Sequence, residues 1–167
     1  RPASFWQNMA ARMVDSQAPG LARRVRELGE LASSGEGWQS RVLARAGQLH
    51  LLLEGYPQIA SLPEPLQADL RTAIGWSQQK DELQSAPAVR DHWLVLGQRV
   101  EEEDNLRTQR TWLWGARSDQ PALVLSFAMF SQPLDHTLPA GATFDAELAY
   151  FPSSYPLRAI VRERFGA

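Results

Sequence analysis

At 167 residues, with a formal net charge of −2 and 22% charged residues, the chain is long enough for one ordinary domain or two small ones with a working hydrophobic core. It contains no cysteine, which excludes disulfides and thiolate metal sites and fits a reducing, cytoplasmic setting. The near-neutral balance argues against a generic nucleic-acid binder, which draws its non-specific affinity from basic surfaces. No apolar run approaches the ~20 residues of a membrane span.

The chain opens at Arg1 rather than a methionine, and reads as a piece of something longer. Ser4-Phe5-Trp6-Gln7 has the form of a capping box, with Ser4 at the N-cap, and Phe5, Trp6, Met9 and Met13 follow at helical spacing. Pro19-Gly20 interrupts that helix. A second one carries Leu21, Val25, Leu28 and Leu31 on one face, and Arg23, Arg24, Arg26, Glu27 and Glu30 elsewhere. Ser33-Ser34-Gly35-Glu36-Gly37 is a loop by composition. The third helix, Trp38 to Tyr56, is the most apolar, which predicts that it sits at the centre of a bundle. A fourth helix, with Pro65 in its first turn, turns Leu66, Leu70, Ile74 and Trp76 toward the core.

Ser85-Ala86-Pro87 marks the boundary between a helical bundle, 1–86, and an antiparallel β module, 87–167. Beyond it the apolar period shortens to that of strands: His92–Glu102, Leu106–Ala116, Ala122–Met129, Thr143–Phe151 and Leu157–Arg164. The breaks between them are Asp104-Asn105, Ser118-Asp119-Gln120-Pro121, Pro139-Ala140-Gly141 and Pro152-Ser153-Ser154-Tyr155-Pro156. The fold class is α+β, an N-terminal helical bundle followed by a C-terminal antiparallel β-barrel or curled sheet.

Candidate chemistry is sparse. Glu101-Glu102-Glu103-Asp104 lacks the spacing of a calcium loop and reads as a solvated hairpin turn, its repulsion offset by Arg107 and Arg110 across the strand. The pairs Asp91-His92 and Asp135-His136, with His50 apart, make a poor zinc site without further ligands. No nucleophile elbow or phosphate loop is present. Arg110, Trp112 and Trp114 share one strand face, either as a stacking row for a peptide or nucleic acid or, the favoured reading, as the inner face of the sheet. Arg158, Arg162 and Arg164 form an outward row for an anionic partner, against the alternative of an ordinary charged strand face. These six residues are the candidate interaction surface; no catalytic, cofactor or metal residues are assigned.

Four phrases carry a resemblance: Ala-Arg-Met-Val-Asp-Ser-Gln-Ala-Pro-Gly-Leu-Ala at 11–22, Leu-Val-Leu-Gly-Gln-Arg-Val-Glu-Glu-Glu-Asp at 94–104, Arg-Thr-Trp-Leu-Trp-Gly at 110–115 and Tyr-Pro-Leu-Arg-Ala at 155–159. They resemble bacterial SWIM zinc finger family proteins, in the region C-terminal to the finger. The finger binds zinc through Cys-x-Cys and Cys-x-His pairs, so the resemblance places zinc outside this cysteine-free chain, and His50, His92 and His136 inherit no ligand role. It implies a non-catalytic protein-interaction or adaptor module acting with an AAA-type ATPase and von Willebrand A-like partners. The alternative is a nucleic-acid-binding module using the aromatic and arginine sheet face.

Overall fold

The computed structural model describes residues 3–76, 82–103, 106–129, 132–134 and 137–165. The chain divides into two compact units, Arg1–Ser77 and Gln78–Ala167. The first holds α1 (Ala3–Asp15), α2 (Pro19–Leu31), α3 (Trp38–Gly55), a 3₁₀ turn (Tyr56–Ser61) and α4 (Glu64–Ile74). The Asp104-Asn105 break and the Asp135-His136 pair lie outside the described residues.

The helical unit is organised around α2. Pro19 opens this helix at its first turn, where a missing N–H costs nothing. Gly20, Leu21, Ala22, Val25 and Leu28 are buried from it, against Ala10 of α1 and against Leu70 and Ile74 of α4. Its small residues let neighbours approach closely. A Cβ on Gly20 would lie 2.6 Å from the Ile74 carbonyl carbon, and one on Gly29 would lie 2.8 Å from the Trp6 ring. Gly75 ends α4 in the left-handed region at φ 115°, as a helix-terminating glycine does. Trp76 follows the helix and caps the turn after α1, its indole N–H donating to the Gln17 carbonyl at 2.5 Å.

The apolar α3 is not the centre of this bundle, and that expectation is corrected. None of its residues is fully buried; Leu43, Leu51 and Leu53 are 74%, 70% and 52% exposed. Leu49 and Leu52 pack against the core, but the other leucines are spread round the helix, so their side chains cannot all face one partner. An amphipathic stripe fixes burial; apolar content spread over the circumference does not. Leu66 and Trp76, expected in the core, are 42% and 41% exposed.

The second unit is a closed five-stranded barrel in the order β1-β2-β3-β5-β4. Its strands are β1 (Ala88–Glu103), β2 (Leu106–Gly115), β3 (Pro121–Met129), β4 (Thr143–Tyr150) and β5 (Arg158–Phe165), preceded by a 3₁₀ turn (Glu82–Gln84) from which Leu83 is buried. Four of the pairings are antiparallel; the closing one, β3 with β5, is parallel and spans two residue pairs. The barrel is therefore mixed where an antiparallel one was expected. The 16-residue β1 pairs with β4 along its first half and β2 along its second, and a bulge between Val95 and Gly97 bends it across the two. Trp93, Val95, Leu113, Ala122, Ala146, Leu148 and Ala159 fill the interior, and the Trp93 indole N–H donates to the Ala146 carbonyl at 3.1 Å.

Because Gly20 touches the α4 backbone, Gly20→Ala should destabilise the helical unit by roughly 1–3 kcal/mol. Gly47 lies on exposed α3, and a Cβ added there would meet nothing within 4 Å. Its change to alanine should therefore gain about 0.5–1 kcal/mol. Urea unfolding followed by the helical circular dichroism signal checks both, and equal effects at the two positions would contradict this packing.

Candidate functional site

Three places in the barrel combine polar groups with unusual surroundings: the outer face of β1–β3, the corner beneath Asp91, and the interior end opposite the apolar core. The phase of β2 sets all three. Gln109, Thr111, Leu113 and Gly115 are buried and point inward, so Arg110, Trp112 and Trp114 point outward. The favoured sequence reading, which put both tryptophans inside the sheet, is corrected. Both phases of this strand are rich in large apolar groups, and alternation alone does not choose between them.

On that outer face Trp114 lies opposite Leu94 and Pro121, and Trp112 opposite Leu123. Further along, Thr108 faces Phe127 and Leu106 faces Met129. Arg110 pairs with Glu101, which also holds the Arg99 guanidinium at 3.3 Å. Arg107, the other expected partner of the acidic run, lies opposite Glu102 in the register and donates to the carbonyls of Met129 and Gln132.

At the β2–β3 corner the Asp91 carboxylate is 1% exposed. It accepts from Ser118 Oγ at 2.6 Å, from the Ser118 N–H at 2.7 Å, from the Arg117 N–H at 3.1 Å and from the His92 N–H at 2.6 Å. Burial alone would raise its pKa, but these donors outweigh desolvation and hold it below the ordinary carboxylate range. A Cβ at Gly115 would sit 2.6 Å from Asp91 Oδ2, so only glycine lets the corner close. Nearby, Tyr150 donates to the Pro121 carbonyl at 3.0 Å; burial, and then the Asp91 charge, push its pKa up to about 12. His92 faces away from its neighbour's carboxylate and lies 3.3 Å from Asp145 Oδ1. His50 stands exposed on α3. Among the described residues, no group of three or more His, Asp or Glu converges on a metal position.

At the other end of the interior lies a cavity of about 360 Å³. Gln98, Gln109, Thr111, Ser126 and Arg164 give it a polar lining, and Leu138 and Val161 add apolar wall. Gln109 and Thr111 are each 3% exposed, and Gln98 Nε2 donates to Thr111 Oγ1 at 3.1 Å. Sequence reasoning missed this layer. The signal was the polar phase Gln109-x-Thr111, hidden while Trp112 and Trp114 claimed the opposite phase for the core.

The three arginines of β5 do not form one row. A register shift against β4, between Glu147 and Leu148, inserts Arg162 as an extra residue and breaks the alternation. Arg158 lies 4.3 Å above the Phe151 ring. Arg162 donates to the Ala86 carbonyl at 2.8 Å. Arg164 donates to Thr137 Oγ1 at 2.8 Å and reaches the cavity.

Residues 1–74 match the family model of the SWIM-associated four-helix bundle domain. No curated protein and no solved structure matches the chain. Among the described residues, no helix is long and apolar enough to cross a membrane.

The buried Asp91 carboxyl is held low in the folded barrel, so its ionised form contributes stability that is full above about pH 4 and is lost as pH falls through the folded value. Asp91→Asn should cost roughly 2–4 kcal/mol at neutral pH, because an amide presents an N–H where donors already converge. Ser118→Ala should cost about 1 kcal/mol. Denaturation measured from pH 7 to pH 2 checks this: the acid-dependent loss should shrink in Asp91→Asn, and an unchanged pH slope would remove Asp91 as its source.

Proposed function

We propose, from the SWIM-associated bundle at residues 1–74, that this chain is the non-catalytic interaction region of a SWIM zinc finger family protein. In this reading it is an adaptor for an AAA-type ATPase and a von Willebrand A-like protein, zinc being held by a finger outside this chain. The observation that carries an interaction role is the outer face of β1–β3. Leu106, Phe127 and Met129 are 40%, 49% and 51% exposed at one end of that face, and Trp114 and Leu94 are 36% and 37% exposed at the other, on one side of three adjacent strands. Clustered exposed apolar groups of this kind mark protein contact surfaces, and tryptophan is the side chain most enriched among their energetic anchors.

A nucleic-acid-binding reading of the same face has less support. Arg110 is already paired with Glu101, and the β5 arginines are dispersed among a ring, a backbone carbonyl and the cavity. Phosphate contact would first have to displace these partners.

Co-migration of the chain with an AAA-type ATPase and a von Willebrand A-like protein tests the proposal. Binding is expected in at least one nucleotide state. The double variant Trp114→Glu, Met129→Glu should weaken it by about tenfold or more with the barrel's thermal stability nearly unchanged, since both side chains face solvent. No association in any nucleotide state would refute the adaptor role. Salt-dependent binding of single-stranded or duplex nucleic acid in its place would favour the other reading.

A further inference from the structure

The bundle covers one side of α3 and leaves the other exposed. Val42, Ala46, Leu49 and Leu52 are half-buried on the inner side, where Leu49 and Leu52 join the core. The outer side is centred on Gly47, where a Cβ would meet nothing within 4 Å. Leu43 and Leu51 flank that glycine, and among the described residues they are the two most exposed leucines. Ser40, Ala44, His50 and Glu54 complete the stripe, all of them exposed. At 3.6 residues per turn every member lies within about 60° of Gly47.

The stripe is symmetric in spacing and complementary in chemistry. Leu43 and Leu51 stand four positions to either side of Gly47, Ala44 and His50 three, Ser40 and Glu54 seven. A second α3 laid antiparallel on the first, with a two-fold axis between the glycines, brings Leu43 of each copy against Leu51 of the other. His50 then faces the small Ala44, and the backbones approach where Gly47 meets Gly47. A two-fold contact requires this self-complementarity, in which residue i meets j and j meets i.

The helix ends supply the charge. Among the described residues no side chain caps α3, and its first turn holds no acid, which leaves the positive end of its dipole without a carboxylate. Glu54 sits instead in the last turn of the same helix, where the negative end disfavours it. Glu54 lies about 10 Å along the helix from Gly47, so in the antiparallel pair it is level with Ser40 in the first turn of the other copy. There its carboxylate accepts from the Ser40 hydroxyl and meets the positive dipole end, and symmetry makes that exchange twice. A parallel pair would leave both carboxylates at the negative ends.

We propose that this chain pairs with a second copy of itself through the outer stripe of α3, antiparallel about Gly47. An 18-residue helix is about 27 Å long and 10–12 Å across. One face of it falls short of the ~800 Å² per partner of a standard interface, so the dimer is weak and reversible. This contact is separate from the β1–β3 face and does not depend on the adaptor reading.

Sedimentation equilibrium of the full 167-residue chain, from about 10 µM to 1 mM, tests the pairing. The mean mass should rise from one chain toward two across that range. Gly47→Glu sets two carboxylates face to face on the axis and should weaken association by about tenfold or more, with the helical circular dichroism signal unchanged. Leu43→Glu and Leu51→Lys should each have the same effect alone. Mixed in equal amounts, these two variants should associate about tenfold or more tightly than either does with itself, because the antiparallel register sets one substituted site against the other. A chain that stays monomeric throughout, whatever else binds α3, would overturn the proposal. So would association indifferent to Gly47→Glu, or no recovery on mixing.

Discussion

The barrel depends on one buried charge. Asp91 cannot be ionised inside an apolar layer unless donors surround it, and the donors it finds are the N–H groups of Arg117 and Ser118, the Ser118 hydroxyl and the His92 N–H. Three of these four come from the corner after β2, so the carboxylate fixes where β2 stops and how the chain turns into β3. That corner brings Gly115 against Asp91 and the ring of Trp93, leaving no room for a side chain. With Gly115 inward, strand alternation makes Leu113, Thr111 and Gln109 inward as well. The exposure of Trp112 and Trp114 follows from the needs of a carboxylate one strand away.

The same phase creates the polar end. Continuing inward from Leu113, β2 delivers Thr111 and then Gln109 to the interior, while the bulge after Val95 lets β1 bring Gln98 alongside them. A five-stranded barrel that is apolar at one level and polar at the next gives up part of the burial that could stabilise it. The cavity lies at that polar level. Where Ala122, Ala159 and Leu148 pack, β3 and β5 are joined; where Ser126 and Arg164 line the wall, among the described residues they are not. Loss of the ladder and change of lining coincide.

The fold was legible in the sequence wherever local chemistry decides. The breaks at Ser118–Pro121, Pro139-Ala140-Gly141 and Pro152–Pro156 separated β2, β3, β4 and β5, because turns need those residues for backbone reasons that no tertiary contact overrides. Amphipathic α2 and α4 were legible for the same reason. What failed was burial where apolar residues occupy more than one face. The leucines of α3 and the alternating Thr111, Trp112, Leu113 and Trp114 both offer two apolar phases, and the choice between them is made by partners distant in sequence. The parallel β3–β5 closure is of that kind too: it depends on how β4 and β5 return across the barrel, and the turn residues do not record it. The cavity was invisible because glutamine and threonine on a strand carry no signature until a charge elsewhere dictates which way they point.

The arginine-rich composition gains a physical account in the barrel. Lys80 is the chain's only lysine, and the barrel arginines are placed in settings a point charge would serve poorly. Arg90 and Arg158 lie over the rings of Phe165 and Phe151, with Cζ at 3.9 and 4.3 Å from the ring centroids. Arg107 spans two backbone carbonyls, and Arg164 both reaches over Phe144 and donates to Thr137. A planar guanidinium can stack through its face while donating through its edge; an ammonium has no face to stack. Positive charge here holds strand ends and loops of a small barrel together, which explains how a chain with seventeen basic residues presents no basic stripe on β5.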